Sequence, residues 1–369
     1  MTGTAFGSLS TLQKRLYLDV VANQARVNAF FLGNGFVSAN EQNTGLPITR
    51  VTQFTDTGRG TSCVMPMVPD LPIDGGVVGD EVLEGNEDVL TSNAQTIRID
   101  RLRRGVKAAG AMAEQETVIR FRAQAQDKLA YWKGDVLDEL MFLTASGRAY
   151  TLTTDGATRG ASPLPRLKFA ADVTAASTNR IIYAGAAVSE ATLTAGDTYS
   201  WNLVVKANAF AKRKGIAPVR QGGREYYVHV LSTEQMRDLV QSADYKAILA
   251  TAEARGKGNP LFDNAKAVIN GAILYEHSKV YHTTGGTAWG AGNTVHGAQA
   301  LLLGAQALGY AELRLKDRMT ESSSNDYGDK PGLGIENVVG LLKPQWPSKY
   351  DANTSEDAAV VSIKTAAAA

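Results

Sequence analysis

Four histidines and one cysteine are the residues with which this 369-residue chain could do metal or nucleophilic chemistry. His277 and His282 are five positions apart, a spacing that does not stack two imidazoles on one helix face, and no HExxH or H-x-E pattern accompanies them. His229 alternates within the strand-like run Glu225–Leu231 and reads as half-buried structure. Cys63 borders a proline-rich loop rather than a helix N-terminus that would activate its thiol. A single cysteine also excludes an intrachain disulfide, a thiolate metal site and a CxxC pair. Gly290–Ala291–Gly292 leads to Val295 instead of a third glycine, and neither a GxxxxGK loop nor a GxSxG elbow exists. The expectation is therefore no enzyme: no catalytic residue, no metal and no cofactor.

Charge is the remaining resource. Asp80, Glu81, Glu84, Glu87 and Asp88 crowd one loop, and Arg98, Arg101, Arg103 and Arg104 follow at its base. The acids lack the ligand spacing of a calcium-binding hand. Two readings stay open: a solvated loop, or an acidic tip and basic root that complement each other between copies and set register. Lys212, Arg213 and Lys214 could touch phosphates, although a helix C-terminus attracts cations in any case. Overall, 38 basic residues face 37 acidic ones, a formal charge of +1. That balance argues against a dedicated nucleic-acid binder and leaves little repulsion between copies. A composition 44% hydrophobic and 20% charged can bury a core, which excludes a disordered chain. The N-terminus shows no signal-peptide pattern, and no apolar stretch reaches the roughly 20 residues that span a bilayer.

Particular elements must position these groups. Residues 10–32 read as an amphipathic helix stopped by Gly33 and Gly35, and residues 33–50 as an extended arm. Thr61–Met65 and Gln95–Arg101 are strand-like. About 30 residues rich in proline and glycine separate them, an excursion long enough to be ordered by a partner. Across 111–146, Val118, Phe121, Ala125, Leu129, Trp132, Val136, Leu140 and Leu143 recur at spacings of three and four. That pattern predicts a strut helix roughly 50 Å long with its apolar stripe on one face. Residues 148–197 read as an insertion whose strand is Arg180–Tyr183. Helices are expected over 198–214, with Asp197 at the start, and over 244–255. Ser232 and Gln235 form a capping box between a strand and a helix. Val268–Tyr275 is one strand-like run. GAQALLL (297–303) and GAQALGY (304–310) nearly repeat at seven residues, which predicts a helix with a small-residue face. Ile335–Leu342 reads as a strand, and the tail from Tyr350 to Ala369 is expected to fray.

A strut helix, a long excursion before it, an extended arm and no catalytic constellation suggest a self-assembling shell subunit. The chain resembles the major capsid proteins of tailed bacteriophages, the N-four-like podophage capsid family, with its HK97-like fold. The resemblance runs through QKRLYLDVVANQARVNAFFLG (13–33), PITRVTQF (47–54), GDEVLEGNEDVL (79–90) and IRIDRLRRGVKAAGAMAEQ (97–115). It resumes at TLTAGDTYSWNLVVKANAFAKRKG (192–215), REYYVHVLSTEQMRDL (224–239) and HGAQALLLGAQAL (296–308). GDEVLEGNEDVL followed by IRIDRLRRGV is its most specific part.

The resemblance implies an α+β capsid fold. Its parts would be an N-terminal arm (1–53), an extended β-hairpin loop lying across a neighbouring subunit (54–104), and a peripheral domain (105–214). The spine helix of that domain, 111–146, would pack through Val118, Phe121, Leu129, Trp132, Val136 and Leu140. An axial domain (215–334), a return strand (335–350) and a tail (351–369) complete it. The implied partners are further copies in hexamers and pentamers, a portal, and scaffold or decoration proteins. The shell would enclose double-stranded DNA, touch it weakly and non-specifically, involve no membrane, and form in the host bacterial cytoplasm before residing in the virion. A nanocompartment shell of the same fold, or a phage decoration or tail structural protein, is the alternative.

Overall fold

Two β-sheets and one long helix organise the chain. The computed structural model describes residues 29–41, 44–52, 62–67, 77–79, 82–85, 93–107, 121–221, 223–253, 267–312, 318–322, 332–347 and 355–367. In order, the elements are a one-turn helix α1 (Phe30–Gly33), β1 (Ile48–Val51), β2 (Ser62–Met67), β3 (Asn93–Arg98), β4 (Asp100–Lys107) and the helix α2 (Phe121–Ser146). Then come β5 (Ile181–Tyr183), α3 (Trp201–Arg213), β6 (Val219–Gln221), β7 (Arg224–Leu231), α4 (Thr233–Gln241), α5 (Ala243–Glu253), β8 (Ala267–Ile269) and β9 (Ala272–Glu276). The series ends with β10 (Gly297–Leu303), β11 (Leu308–Glu312), β12 (Arg318–Ser322), β13 (Gly332–Leu342), β14 (Gln345–Pro347), β15 (Ser355–Asp357) and β16 (Val360–Ala366). The helix expected over 10–32 lies outside the described residues except at α1.

One sheet has five strands, ordered β1–β11–β13–β12, with β4 pairing the opposite side of β13. The other has seven, ordered β5–β16–β10–β7–β9–β8, with β6 pairing β7. Residues 215–334, expected as one domain, therefore feed both sheets: β6 to β10 enter the seven-stranded one, and β11, β12 and the start of β13 enter the five-stranded one. β5, from the expected insertion, also joins the seven-stranded sheet.

Three expectations are overturned. The near-repeat 297–310 is not a helix but two strands, β10 and β11, joined by a tight turn. All seven residues of β10 are buried, so its apolar run is that of a strand covered on both faces. The two glutamines of the repeat take different roles. Gln299 is buried and donates Nε2 to the Ser146 carbonyl at 2.8 Å and to Ser362 Oγ at 2.9 Å. Gln306 turns the chain at φ 60°. Second, Val268–Tyr275 is a hairpin, because Asn270 and Gly271 both take positive φ (51° and 76°), the type I′ geometry that Asn-Gly favours. Third, the described part of the tail, residues 355–367, is not frayed: β16 lies between β5 and β10, and every one of its residues is buried. Of the terminal alanines, Ala366 is packed inside the sheet and Ala367 beside it is buried.

The long helix also departs from a one-faced stripe. From Val136 to Ser146 it is buried almost all round, with Leu137, Met141, Phe142 and Ala145 enclosed as well as Val136, Leu140 and Leu143. Its 26 residues span about 39 Å. At α3, Asp197 does not serve the helix start; its carboxylate accepts from Thr194 N at 2.8 Å and Thr194 Oγ1 at 2.9 Å, and Ser200 is the N-cap. The capping box of Ser232 and Gln235 is present at α4.

A carboxylate on α2 anchors the end of the N-terminal arm. Asp138 accepts the backbone N–H of Phe30 at 2.7 Å and of Phe31 at 3.3 Å. Burial pushes its pKa up to about 6 against the pull of those donors and of Lys279. His277, ringed by Phe30 at 4.7 Å and Phe142 at 4.9 Å, is pushed down to about 4, mainly by burial. The two act oppositely. Raised Asp138 gives stability that is fullest below pH 3.8 and lost as pH rises through about 6, a change on the order of 3 kcal/mol. Depressed His277 gives stability that is present above pH 6.5 and lost as pH falls toward 4. Asp138→Asn should therefore make the protein lose stability more steeply than wild type on acidification from pH 7 to 4.5. His277→Phe should shift the balance the other way. Urea midpoints at the two pH values read both, and identical pH slopes in all three proteins would refute the assignment.

Candidate functional site

The histidines and the cysteine come first. Among the described residues, no group of three or more His, Cys, Asp or Glu side chains is placed to hold a metal ion. His229 is fully buried rather than half-buried: its ring faces Asn208 Oδ1 at 2.8 Å and Tyr199 OH at 3.4 Å, and burial holds its pKa at about 3. It is a neutral core histidine. His282 faces Thr284 Oγ1 at 2.6 Å. Cys63 is buried, and its thiol is pushed up to about 11 by that burial and by Glu41, so it is not activated. No described helix is long and apolar enough to cross a membrane.

The surface features lie instead at the loop between β2 and β3. These two strands pair antiparallel from Ser62 opposite Arg98 to Met67 opposite Asn93, forming a ribbon. The root of that ribbon is seated on the five-stranded sheet by close approach. Alternation along β13 points Leu333, Ile335 and Val339 toward α2 and points Gly334, Glu336, Val338, Gly340 and Leu342 to the other face. On that second face, Cys63, Met65, Ile97 and Ile99 pack with Val338 and Leu342. Gly309 and Gly340 make the room: a Cβ on Gly340 would lie 2.5 Å from the Arg98 carbonyl oxygen, and one on Gly309 would lie 2.9 Å from both Ile97 and Met65.

Beyond the ribbon, Val78, Val82 and Leu83 are 82%, 67% and 56% exposed, and Glu84 beside them is exposed. Three large apolar side chains within six residues are thus held open to solvent. Asp80, Glu81, Glu87 and Asp88 lie outside the described residues.

The arginines at the root are not one cluster. Arg98 pairs with Asp172 at 3.2 Å, and Arg101 with Glu336 at 3.4 Å. Arg104, on the α2 side of β4, lies over the Trp132 ring at 5.1 Å. Arg103 points to the opposite face, is exposed, and makes no ion pair among the described residues. Three of the four root arginines thus have partners within the chain.

Of the spine positions, Leu129 packs with Ala125, Ala130, Leu333 and Ile335, and Val136 and Leu140 enter the main core. Trp132 is half-buried between these two clusters. Phe121 begins the described helix, and Val118 lies outside the described residues.

Sequence reasoning missed the groups that lock the C-terminal strands. Lys343 and Asp357 form a fully buried pair at 2.9 Å, and Arg180 and Glu356 pair at 3.2 Å. Glu190 takes both Arg148 at 2.6 Å and Lys364 at 2.7 Å. No spacing signals them, because the partners come from separate elements.

Comparison with known proteins is consistent with this architecture. A family profile described as phage capsid protein matches residues 6–369. The major capsid protein of Pseudomonas phage KPP25 is 37% identical over 377 residues, covering 99% of this chain and 98% of the relative. The capsid of Ralstonia phage GP4 superposes with a TM-score of 0.74 at 25% identity over 92% of each chain. The capsid of cyanophage Pam1 superposes with a TM-score of 0.67 at 19% identity, over 90% of this chain and 91% of that one, a likeness of fold.

Proposed function

The chain belongs to the phage capsid protein family, and from that premise we propose that it is the major capsid subunit of a phage head, acting by assembly and catalysing nothing. The observation that carries this reading is the end-to-end match to a major capsid protein. The fold is the HK97-like α+β fold of phage shells.

We read the seven-stranded sheet with α3, α4 and α5 as the axial domain, and the five-stranded sheet with α2 as the peripheral domain. On this reading the β2–β3 ribbon and residues 77–85 form the extended loop that reaches a neighbouring subunit. The exposed Val78, Val82 and Leu83 support it, because a loop that folded back on its own chain would cover them. Subunits then close into hexamers and pentamers of an icosahedral shell around double-stranded DNA. Individual contacts can be weak, because each copy engages several neighbours at once. A net charge of +1 suits a wall that faces DNA without gripping it. Portal, scaffold and decoration proteins are the further partners of such a shell, and the host cytoplasm is the place of assembly.

Deleting Gly75–Asp88 tests the loop's role. The expected product is a folded, soluble subunit that forms no particles by negative-stain microscopy. Shells of normal size and yield from the deleted protein would reject the reading.

A further inference from the structure

The second face of the five-stranded sheet carries glycine at both ends, and among the described residues the ribbon covers one of them. At one end, Gly309 and Gly340 lie under Ile97 and Met65 of the chain's own ribbon. At the other, Gly105 of β4 stands opposite Gly334 of β13. A Cβ at Gly105 would meet nothing nearer than the Leu333 carbonyl oxygen at 3.5 Å. The two missing side chains leave a depression of about 270 Å³ lined by Arg103, Arg104, Gly105, Gly334, Ile335 and Glu336. Alternation fixes which groups face it. Leu102, Arg104 and Val106 turn toward α2, so Arg101, Arg103 and Glu336 form the rim. Arg101 and Glu336 neutralise each other, and Arg103, with Lys107 on the same face of β4, leaves the rim positive.

We propose that this depression receives Leu83 from the loop of a second copy, with Glu84 of that copy pairing with Arg103. The inference rests on the reading above that the loop is intersubunit, and it names the seat. Three observations converge on this occupant. The covered glycine site shows what this sheet face accepts, namely apolar side chains delivered by an extended ribbon. Leu83 is an apolar side chain presented to solvent. Glu84 next to it has the charge that Arg103 lacks, which would set the register of docking.

Gly105→Val fills the seat without harming the strand, since the position has open space and β-branched residues suit strands. Expected is an unchanged Tm with a threshold concentration for assembly raised about tenfold, the effect of losing one buried leucine contact. Leu83→Ser, on an exposed loop where folding is not at stake, should do the same. Leu83→Cys with Gly105→Cys should give disulfide-linked multimers on oxidation of assembled particles, while buried Cys63 stays out of the reaction. Normal thresholds for Gly105→Val and Leu83→Ser, or a disulfide confined to single chains, would overturn the proposal. If Gly75–Asp88 deletion abolishes particles while those variants assemble normally, the seat is wrong and the intersubunit loop stands. If the deletion assembles normally, the reading beneath it fails.

Discussion

A chain ending at Thr354 is expected to yield no folded subunit. The removed residues hold β16, which bonds β10 at seven positions from Gly297–Ala366 to Leu303–Val360, and bonds β5 at three. Val360, Val361 and Ile363 are each at most 1% exposed. Burying three such side chains contributes about 6 kcal/mol, within the whole stability of an ordinary domain, about 5–15 kcal/mol. The loss would also bare the edge of β10 and leave Glu190 without Lys364. Far-UV circular dichroism and limited proteolysis read the outcome. A truncated protein with wild-type melting and protease resistance would show that the strand is dispensable.

Lys343→Met should be the most damaging of the conservative substitutions. Lys343 donates to Asp357 Oδ2 at 2.9 Å and to the Ala175 carbonyl at 3.2 Å, and neither charged side chain reaches solvent. Burial lowers the lysine pKa, and Asp357 pulls it back up. Removing the cation strands the carboxylate with only the Ser177 N–H and the Gln345 amide, at a cost of about 3–5 kcal/mol. Converting both partners, Lys343→Met with Asp357→Leu, should recover much of that loss, because an apolar pair needs no desolvation of charge. Denaturant midpoints decide it. A double variant no more stable than Lys343→Met alone would mean that Asp357 matters through its other hydrogen bonds rather than through the ion pair.

The legible parts of this fold were those whose signal is local. Ser232 and Gln235 announced a helix start because a capping box is completed within four residues. The second ribbon strand showed in its alternation, the other ribbon strand and β13 in their strand-like composition, and the basic end of α3 in its last turn. The misread parts are those where tertiary burial overrides periodicity. Seven buried residues of β10 carry no period at all, so a seven-residue repeat of small side chains mimicked a helix. Residues 360–366 looked like part of an unstructured tail because nothing local shows that strands about 60 and 180 residues away flank β16. The candidate surface was half legible. The acidic loop and basic root stood out as charge, but three of the arginines are spent on Asp172, Glu336 and Trp132, partners invisible to spacing. Gly105 and Gly334 carried no signal, since their meaning arises only when β4 pairs with β13.

The central place of β16 also sets a clock. Its neighbours β5 and β10 are synthesised long before it, and β1 likewise waits for β11, its parallel partner about 260 positions later in register. At about 5–20 residues per second, ribosomes need roughly 20–70 s to reach residue 366. The seven-stranded sheet is not whole before then, and the five-stranded one waits for β13, so the seat formed by β4 and β13 exists only once β13 has followed β4. A chain that has not yet reached β13 has no such seat to offer a second copy, so the loop is made long before anything can receive it.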